Sequence, residues 1–166
     1  LYWESMEFVF DSAVIKITED IFTDAIADVV ISEKDEPDRN SFIEVIENDS
    51  VFVISLHWSH FTNTQKPSIY WNDKDKILFL GAGYVSAVIN IKTKKIIDVN
   101  YPDLFWGWEL IEGNILELGE LDCRLYSLTG QLIGHTPVDP PYDYHASENA
   151  INFSSIVIGK TSIVYK

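Results

Sequence analysis

The sequence is poor in the residues on which several classes of protein depend. Its 166 residues include one cysteine, one methionine and six prolines, and twelve basic residues face 26 acidic ones. The lone Cys123 excludes an intramolecular disulfide and is expected to be a small buried residue. No apolar run approaches the roughly 18 residues of a membrane-spanning helix. With no export signal recognisable, we predict a cytoplasmic protein with a single domain, residues 6–166.

The first five residues, LYWES, are similar to the LYFQS of a common protease-cleavable tag, although Trp3 and Glu4 depart from it. Met6, the single methionine, follows directly. We therefore expect residues 1–5 to be a tag remnant and the natural chain to begin at Met6.

Acidic residues are concentrated in two tracts of the chain. Residues 19–49 hold eleven acids and two bases, and residues 98–148 hold ten acids and one base. The stretch between them, residues 50–97, holds two acids and six bases. The net charge of −14 disfavours nucleic acid and membranes as partners. It favours a basic protein, whose encounter a complementary field accelerates; the alternative is that the acids serve solubility alone.

One pattern is written twice between residues 76 and 133. Residues 76–97 read KILFLGAGYVSAVINIKTKKII, and residues 114–133 read NILELGELDCRLYSLTGQLI. Each copy predicts strand, turn, strand, turn, strand, and repetition at this spacing is typical of propeller-like sheets. The SAVINIKTKKII and CRLYSLTGQLI hairpins resemble single propeller blades. Two copies are too few for a closed propeller, so the prediction is a twisted antiparallel meander.

The rest of the chain is also predicted to be mainly β, with about ten strands in all and one N-terminal helix. Thr18 is a suitable N-cap, and apolar residues recur at helical spacing after it, which predicts an amphipathic helix over residues 19–30. Residues 42–46 are compatible with a helix or a strand. Residues 137–149, PVDPPYDYHASEN, are too rich in Pro, Asp and Asn for a strand.

No catalytic, metal-binding or cofactor-binding motif stands out, so we predict a protein that is not an enzyme and uses no cofactor or metal. His57 and His60 would point to opposite faces of a strand and lack further zinc ligands. The LGAG of residues 80–83 lacks the lysine and the helix of a phosphate loop and predicts a β-turn or bulge. Glu117 is expected to face solvent, opposite its leucine neighbours.

Two segments combine aromatic side chains with carboxylates. Residues 105–112, FWGWELIE, would place both tryptophans on one face of an extended chain, and residues 137–145, PVDPPYDYH, carry two tyrosines in a predicted loop. Rings supply contact area and carboxylates meet Lys or Arg, which is the chemistry of a binding hot spot. The alternative is that the tryptophans belong to the core and the tyrosines cover a sheet end. The predicted partner-binding residues are Trp106, Trp108, Glu109, Glu112, Asp139, Tyr142, Asp143 and Tyr144.

A small, acidic, aromatic-rich chain with these segments and no catalytic motif resembles the immunity proteins of bacterial toxin systems, of the contact-dependent inhibition type. The resemblance is one of overall character. It implies that the protein binds and inhibits a co-encoded basic nuclease toxin, with Glu, Asp and Tyr side chains in the toxin's phosphate-binding positions. Immunity proteins share no common fold, so the resemblance implies no particular site residue.

Two other functions are compatible with the sequence. A scaffold or sensor domain of β-repeats would expose an apolar face on which further repeats stack. A carbohydrate-binding module or hydrolase would need paired exposed tryptophans and a pair of carboxylates in a cleft. Glu117 with Glu120, or Glu109 with Glu112, would be candidates for that pair.

Overall fold

The chain folds into four β-sheets that follow one another along the sequence. The structure, a computed structural model, describes residues 5–19, 26–62 and 65–166. These residues form sixteen strands and no helix, so the mainly-β, antiparallel class is confirmed, whereas the expected ten strands were too few. The sheets succeed one another without closing into a propeller.

Sheet 1 has five strands in the spatial order β1-β2-β4-β5-β3, all antiparallel to their neighbours except β3, which runs parallel to β5. Alternate residues such as Ile15, Ile43 and Ile54 point to one face and are fully buried, because successive strand residues face opposite sides. The strands are β1 (Ser5–Val9), β2 (Val14–Glu19), β3 (Val29–Ser32), β4 (Arg39–Glu47) and β5 (Ser50–Trp58).

Sheets 2, 3 and 4 are simple meanders in which each strand pairs with the next along the chain. Sheet 2 consists of β6 (Ser68–Asn72), β7 (Ile77–Ala82), β8 (Val85–Asn90) and β9 (Lys95–Asn100). Sheet 3 consists of β10 (Phe105–Ile111), β11 (Asn114–Gly119), β12 (Asp122–Ser127) and β13 (Leu132–Pro137). Sheet 4 consists of β14 (Tyr142–Ala146), β15 (Ala150–Ser155) and β16 (Gly159–Val164).

The two predicted repeats are the last three strands of sheets 2 and 3. In both sheets a β-bulge interrupts the pairing of the third strand with the fourth, between Val88 and Ile89 and between Leu125 and Tyr126. The LGAG glycines lie at the predicted turn: Ala82 pairs with Val85, and Gly83 has a φ of +55°. The repeat in sequence is therefore a repeat in structure, with a fourth strand added in front of each copy.

Hydrophobic clusters join each sheet to the next. Ile54 and Trp58 of sheet 1 share a cluster with Leu80 and Ile89 of sheet 2. Phe79 of sheet 2 meets the rings of sheet 3 edge to face, and Leu125 of sheet 3 packs with Ile151 and Phe153 of sheet 4. The core is thus a series of sheet-to-sheet layers, each formed by neighbours in sequence.

Glu117 is buried between sheets 2 and 3, so the expectation that it faces solvent is wrong. Its side chain is 1% exposed and accepts hydrogen bonds from Ser86 Oγ at 2.6 Å and Asn100 Nδ2 at 2.7 Å. Arg124 donates to Asn100 Oδ1 at 2.9 Å and to Asp98 at 3.1 Å. Burial raises the pKa of Glu117, and the hydrogen bonds from Ser86 and Asn100 oppose this rise. The expected alternation of buried and exposed side chains does not hold along β11, because neighbouring sheets cover both faces of this strand.

The predicted helix over residues 19–30 is contradicted where the structure describes it. Glu19 ends β2, and Val29 and Val30 begin β3, whereas residues 20–25 lie outside the described residues. The β-branched pair Val29-Val30 continues into Ile31-Ser32, which pairs with β5. Among the described residues, no helix has the length and apolarity needed to cross a membrane.

Two further segments are strands. Residues 42–46, left open between helix and strand, lie within β4. Residues 142–146 form β14, which the sequence analysis excluded. The prolines end at residue 141, and the following Y-D-Y-H alternates: Tyr142 and Tyr144 contact Phe153 on the inner face while Asp143 and His145 are exposed. The alternation of inward-facing and outward-facing side chains therefore predicts this strand better than the amino-acid composition does.

Candidate functional site

The loops at one end of the four sheets are joined to one another by hydrogen bonds. Glu33 accepts from the backbone N–H groups of Ser59 and Tyr84, both at 2.8 Å. Further backbone bonds link Phe105 N–H to Gly83 O at 2.7 Å and Glu120 N–H to Leu104 O at 2.9 Å. Val138 N–H reaches Leu121 O at 3.0 Å, and Asp139 N–H reaches Ser155 Oγ at 3.2 Å. One continuous border results, which we call the acidic edge: residues 33–38, 59–61, 83–84, 101–104, 120–121, 138–141 and 156–158.

Negative charge dominates the acidic edge. Its residues include seven carboxylates, one lysine and one histidine. Asp35, Glu36, Asp38 and Asp103 are exposed, and Glu120 and Asp139 are half-buried. Exposed like charges on one border create a local negative field that attracts cations within about one Debye length, roughly 8 Å at physiological salt.

Glu33 is the exception, because it holds the edge together rather than facing solvent. The residue is 7% exposed, and its second carboxylate oxygen accepts from Ser59 Oγ at 2.7 Å. A Cβ added to Gly83 would collide with this carboxylate and lie 2.5 Å from Ser59 O. Glycine at position 83 therefore lets the turn between β7 and β8 approach sheet 1.

A cleft of about 400 Å³ opens at the acidic edge where loops of sheets 1, 2 and 3 meet. Tyr84 and Tyr101 provide its aromatic walls, and Asp35 and Asp103 line it with carboxylates. The ammonium of Lys34 lies 4.5 Å from the ring centroid of Tyr101, within the range of a cation–π interaction. The cleft therefore already accommodates one cationic side chain, which is supplied by the chain itself.

An aromatic stack lies further along the edge. The rings of Trp106 and Tyr142 are parallel, 1° apart in plane, with centroids separated by 5.5 Å. Trp106 is 47% exposed, whereas Tyr142 donates its hydroxyl hydrogen bond to Gly119 O at 2.8 Å. The inner ring is thus fixed by packing and hydrogen bonding and supports an outer ring that is free to contact a partner.

The eight predicted partner-binding residues do not form one group. Trp106, Asp139, Tyr142 and Asp143 lie on or beside the acidic edge. Tyr144 donates to Glu109 midway along the strands, and burial, with this bond, raises the pKa of Tyr144 to about 12. Glu112 lies in the turn at the opposite end, with a φ of +49°.

Trp108 and Trp106 face opposite sides of sheet 3, contrary to the sequence prediction. Trp108 packs against Phe79 and Tyr126 in the layer between sheets 2 and 3. The cause is a β-bulge: Phe105 pairs with Gly119 and Gly107 with Leu118, so Trp106 has no partner in the ladder. One extra residue in a strand reverses the side-chain alternation beyond it.

Sequence reasoning missed the cleft residues and an exposed hairpin tip. Tyr84 had a signal, since it follows Gly83 in a two-residue turn, but nothing in the sequence connects it with Glu33. Ile156 and Val157 are 80% and 78% exposed at the tip between β15 and β16. The apolar run Ile156-Val157-Ile158 is typical of a strand, so the sequence pattern does not reveal this turn.

In the part of the chain that the structure describes, no group of three His, Cys, Asp or Glu side chains is arranged to hold a metal ion. His57 instead contacts Ser55 Oγ at 3.0 Å, and His60 contacts Asp38 at 2.8 Å. Cys123 is buried, as predicted, and burial raises the pKa of its thiol.

Comparison with known proteins does not place the chain in a family. No protein-family model matches the chain, and no curated protein matches it.

Proposed function

We propose that the protein is a cytoplasmic binding protein of the immunity type, whose acidic edge neutralises a basic protein partner, a co-encoded nuclease toxin. The observation that carries this proposal is the composition of the edge: seven carboxylates and one lysine share it with exposed tyrosine rings, and the exposed ring of Trp106 lies beside it. Such a surface is complementary to one that binds phosphate groups. The protein would act by occupying that surface, without chemistry of its own.

The cleft at Tyr84 and Tyr101 supports recognition of a lysine or arginine side chain. Lys34 lies over the Tyr101 ring, with Asp35 and Asp103 lining the same cleft. Lys34 is exposed, so a cationic side chain of a partner can displace it at little cost. If a partner's cationic side chain replaces Lys34, the contact with the Tyr101 ring is kept. The carboxylates of the cleft then also attract the partner.

Apolar side chains beside the acids supply the area that an electrostatic contact lacks. Tyr142 pairs with Ser155, and the exposed tip of Ile156 and Val157 follows directly, so the tip begins next to the Trp106–Tyr142 stack. Tryptophan is among the residues most enriched in binding hot spots. We expect Trp106 to be the anchor and the surrounding carboxylates to steer the encounter.

The two alternatives have less support. A domain on which further repeats stack needs an apolar outer face. Sheet 4 does not favour stacking, because its outer face presents Asp143, His145, Ser154 and Ser162, all exposed. A sugar-binding cleft was expected to show paired exposed tryptophans; of the four in the described part of the chain, only Trp106 is exposed.

The test is inhibition of the nuclease activity of the basic protein encoded beside this one. Wild-type protein is compared with the edge variant Asp35→Asn/Asp103→Asn/Asp139→Asn. The control variant Asp49→Asn/Glu112→Gln/Glu148→Gln removes the same charge from turns at the opposite end. We expect the edge variant to inhibit at least about tenfold less well and the control to inhibit like the wild type.

Equal inhibition by the two variants would reject the acidic edge as the contact surface. A neighbouring gene product that is acidic, or that binds without losing activity, would reject the immunity function. Both variants substitute amides for carboxylates that are at least partly exposed, and their melting temperatures should stay close to that of the wild type.

A further inference from the structure

A second cleft, of about 630 Å³, lies at the end of the sheets opposite to the acidic edge. Four of the ten lysines of the chain line it: Lys74, Lys76, Lys92 and Lys94. Ser50, Asn90 and Thr129 add hydroxyl and amide groups, and Glu47 and Asp75 are the carboxylates that line it. In a chain with a net charge of −14 this is a local excess of positive charge.

Turns of three different sheets hold the cleft in shape. Ile91 N–H donates to Lys76 O at 2.9 Å, which joins the two lysine-bearing turns of sheet 2. Asn72 Nδ2 donates to Leu128 O at 2.9 Å and brings the Thr129 turn of sheet 3 alongside. Lys76 Nζ lies 3.3 Å from Glu47 Oε1, which ties the cleft to sheet 1. The lysines thus project from anchored turns, not from a free segment.

The four lysines of the cleft outnumber its two carboxylates. Within the described ranges, Lys74, Lys92 and Lys94 form no ion pair, and all three are exposed. Lys76 is half-buried and shared between Glu47 and Ser12. Mutual repulsion of like charges around one cavity is relieved when a multivalent anion binds between them.

We propose that this cleft binds a small molecule that carries several phosphate groups. Lysine acts as a compact point charge toward phosphate and donates up to three hydrogen bonds. The volume lies in the range of about 300–1,000 Å³ that is usual for small-molecule sites, and the hydroxyls of Ser50 and Thr129 can donate to phosphate oxygens. This site is separate from the acidic edge, and its existence does not depend on the toxin-neutralising function.

Titration calorimetry with inorganic tripolyphosphate, and with monophosphate for comparison, tests the proposal. We expect saturable one-to-one binding of tripolyphosphate, at least about tenfold tighter than monophosphate, because several charge-assisted hydrogen bonds form together. The variant Lys74→Gln/Lys92→Gln/Lys94→Gln should weaken binding by more than about tenfold. The matched variant Lys66→Gln/Lys160→Gln/Lys166→Gln removes the same charge from exposed positions outside the cleft and should bind like the wild type.

No heat of binding from the wild type at millimolar tripolyphosphate would overturn the proposal. An equal loss of affinity in the two triple variants would also overturn it, because it would assign the binding to net charge rather than to the cleft. All six substituted lysines are exposed, so loss of folding does not explain a difference between the variants.

Discussion

The acidic edge and the lysine-lined cleft lie at opposite ends of the same strands and carry opposite local charge. The acidic edge has one lysine among seven carboxylates. Its exposed surface includes tyrosine and isoleucine, and Trp106 is exposed beside it. At the other end, four lysines surround one cleft, and Trp71 and Tyr126 are buried behind the turns. A single acidic protein thus offers two surfaces, one suited to cations and the other to anions.

The difference follows from the alternation of turns in a meander. Successive turns of antiparallel strands lie at alternate ends of a sheet. The turn at residues 73–76 therefore belongs to the lysine end, that at 83–84 to the acidic edge, that at 91–94 to the lysine end and that at 101–104 to the acidic edge. Charge that looks like broad tracts along the sequence is separated turn by turn in the fold.

The largest effect should come from breaking the acidic edge at Gly83. Gly83→Ala places a Cβ against Glu33 and Ser59 O at a φ of +55°, and we expect a loss of about 2–4 kcal/mol in the free energy of unfolding. Urea denaturation measures it. Gly113→Ala is the control at the lysine end, where φ is +72° but the space is open, so backbone strain alone should cost about 1 kcal/mol.

If Gly83→Ala and Gly113→Ala proved equally destabilising, the close approach of the β7–β8 turn to Glu33 would make no contribution. The hydrogen-bonded continuity of the acidic edge would then need another explanation.

The next comparison is between the two stacked rings, Tyr142 and Trp106, and their contributions to stability and binding. Tyr142 is packed against Phe153 and bonded to Gly119 O, so Tyr142→Ala should cost about 3 kcal/mol of stability. Trp106→Ala removes a side chain that is 47% exposed and should cost about 1 kcal/mol or less, while weakening partner binding strongly. Thermal denaturation and a binding assay on each variant measure the two effects. A larger stability loss for Trp106→Ala than for Tyr142→Ala would reverse the assignment of anchor and support.

The smallest effect concerns the buried carboxylate of Glu117 as the pH changes. Glu117 has a folded-state pKa raised by burial. Its contribution to stability is therefore greatest below its unfolded pKa and is lost as the pH rises through the folded pKa. At acid pH the wild type should therefore have a higher free energy of unfolding than Glu117→Gln. This difference should decrease toward neutral pH. A difference in stability between the wild type and Glu117→Gln that does not change with pH would contradict the burial argument.

The sequence predicted what is local and repeated, and it failed where distant segments meet. The paired copies at residues 76–97 and 114–133 carried enough periodicity to define strands and turns. Glu117 could not be placed, because its burial depends on Ser86 and Asn100 of the adjoining sheet. Trp108 could not be placed, because a bulge is not visible in a hydrophobic pattern.

The candidate site was predictable only in part, for the same reason. Trp106 and Tyr142 were named from their aromatic and acidic surroundings, and they meet in the structure. The cleft on the acidic edge is formed by Lys34, Tyr84 and Tyr101 from three separate loops. Loops far apart in sequence become neighbours only when the sheets are stacked, and no local pattern records that order.

The most direct test of the central claim is amide chemical-shift mapping of the labelled protein during titration with the basic protein encoded beside it. We expect the largest changes on the acidic edge, at Asp35, Tyr84 and Tyr101, and at the adjoining Trp106, with only small changes at the lysine-bearing turns. Changes concentrated at Lys74, Lys92 and Lys94 instead would contradict the proposed contact surface, because the partner would then bind at the lysine-lined cleft, which is suited to anions.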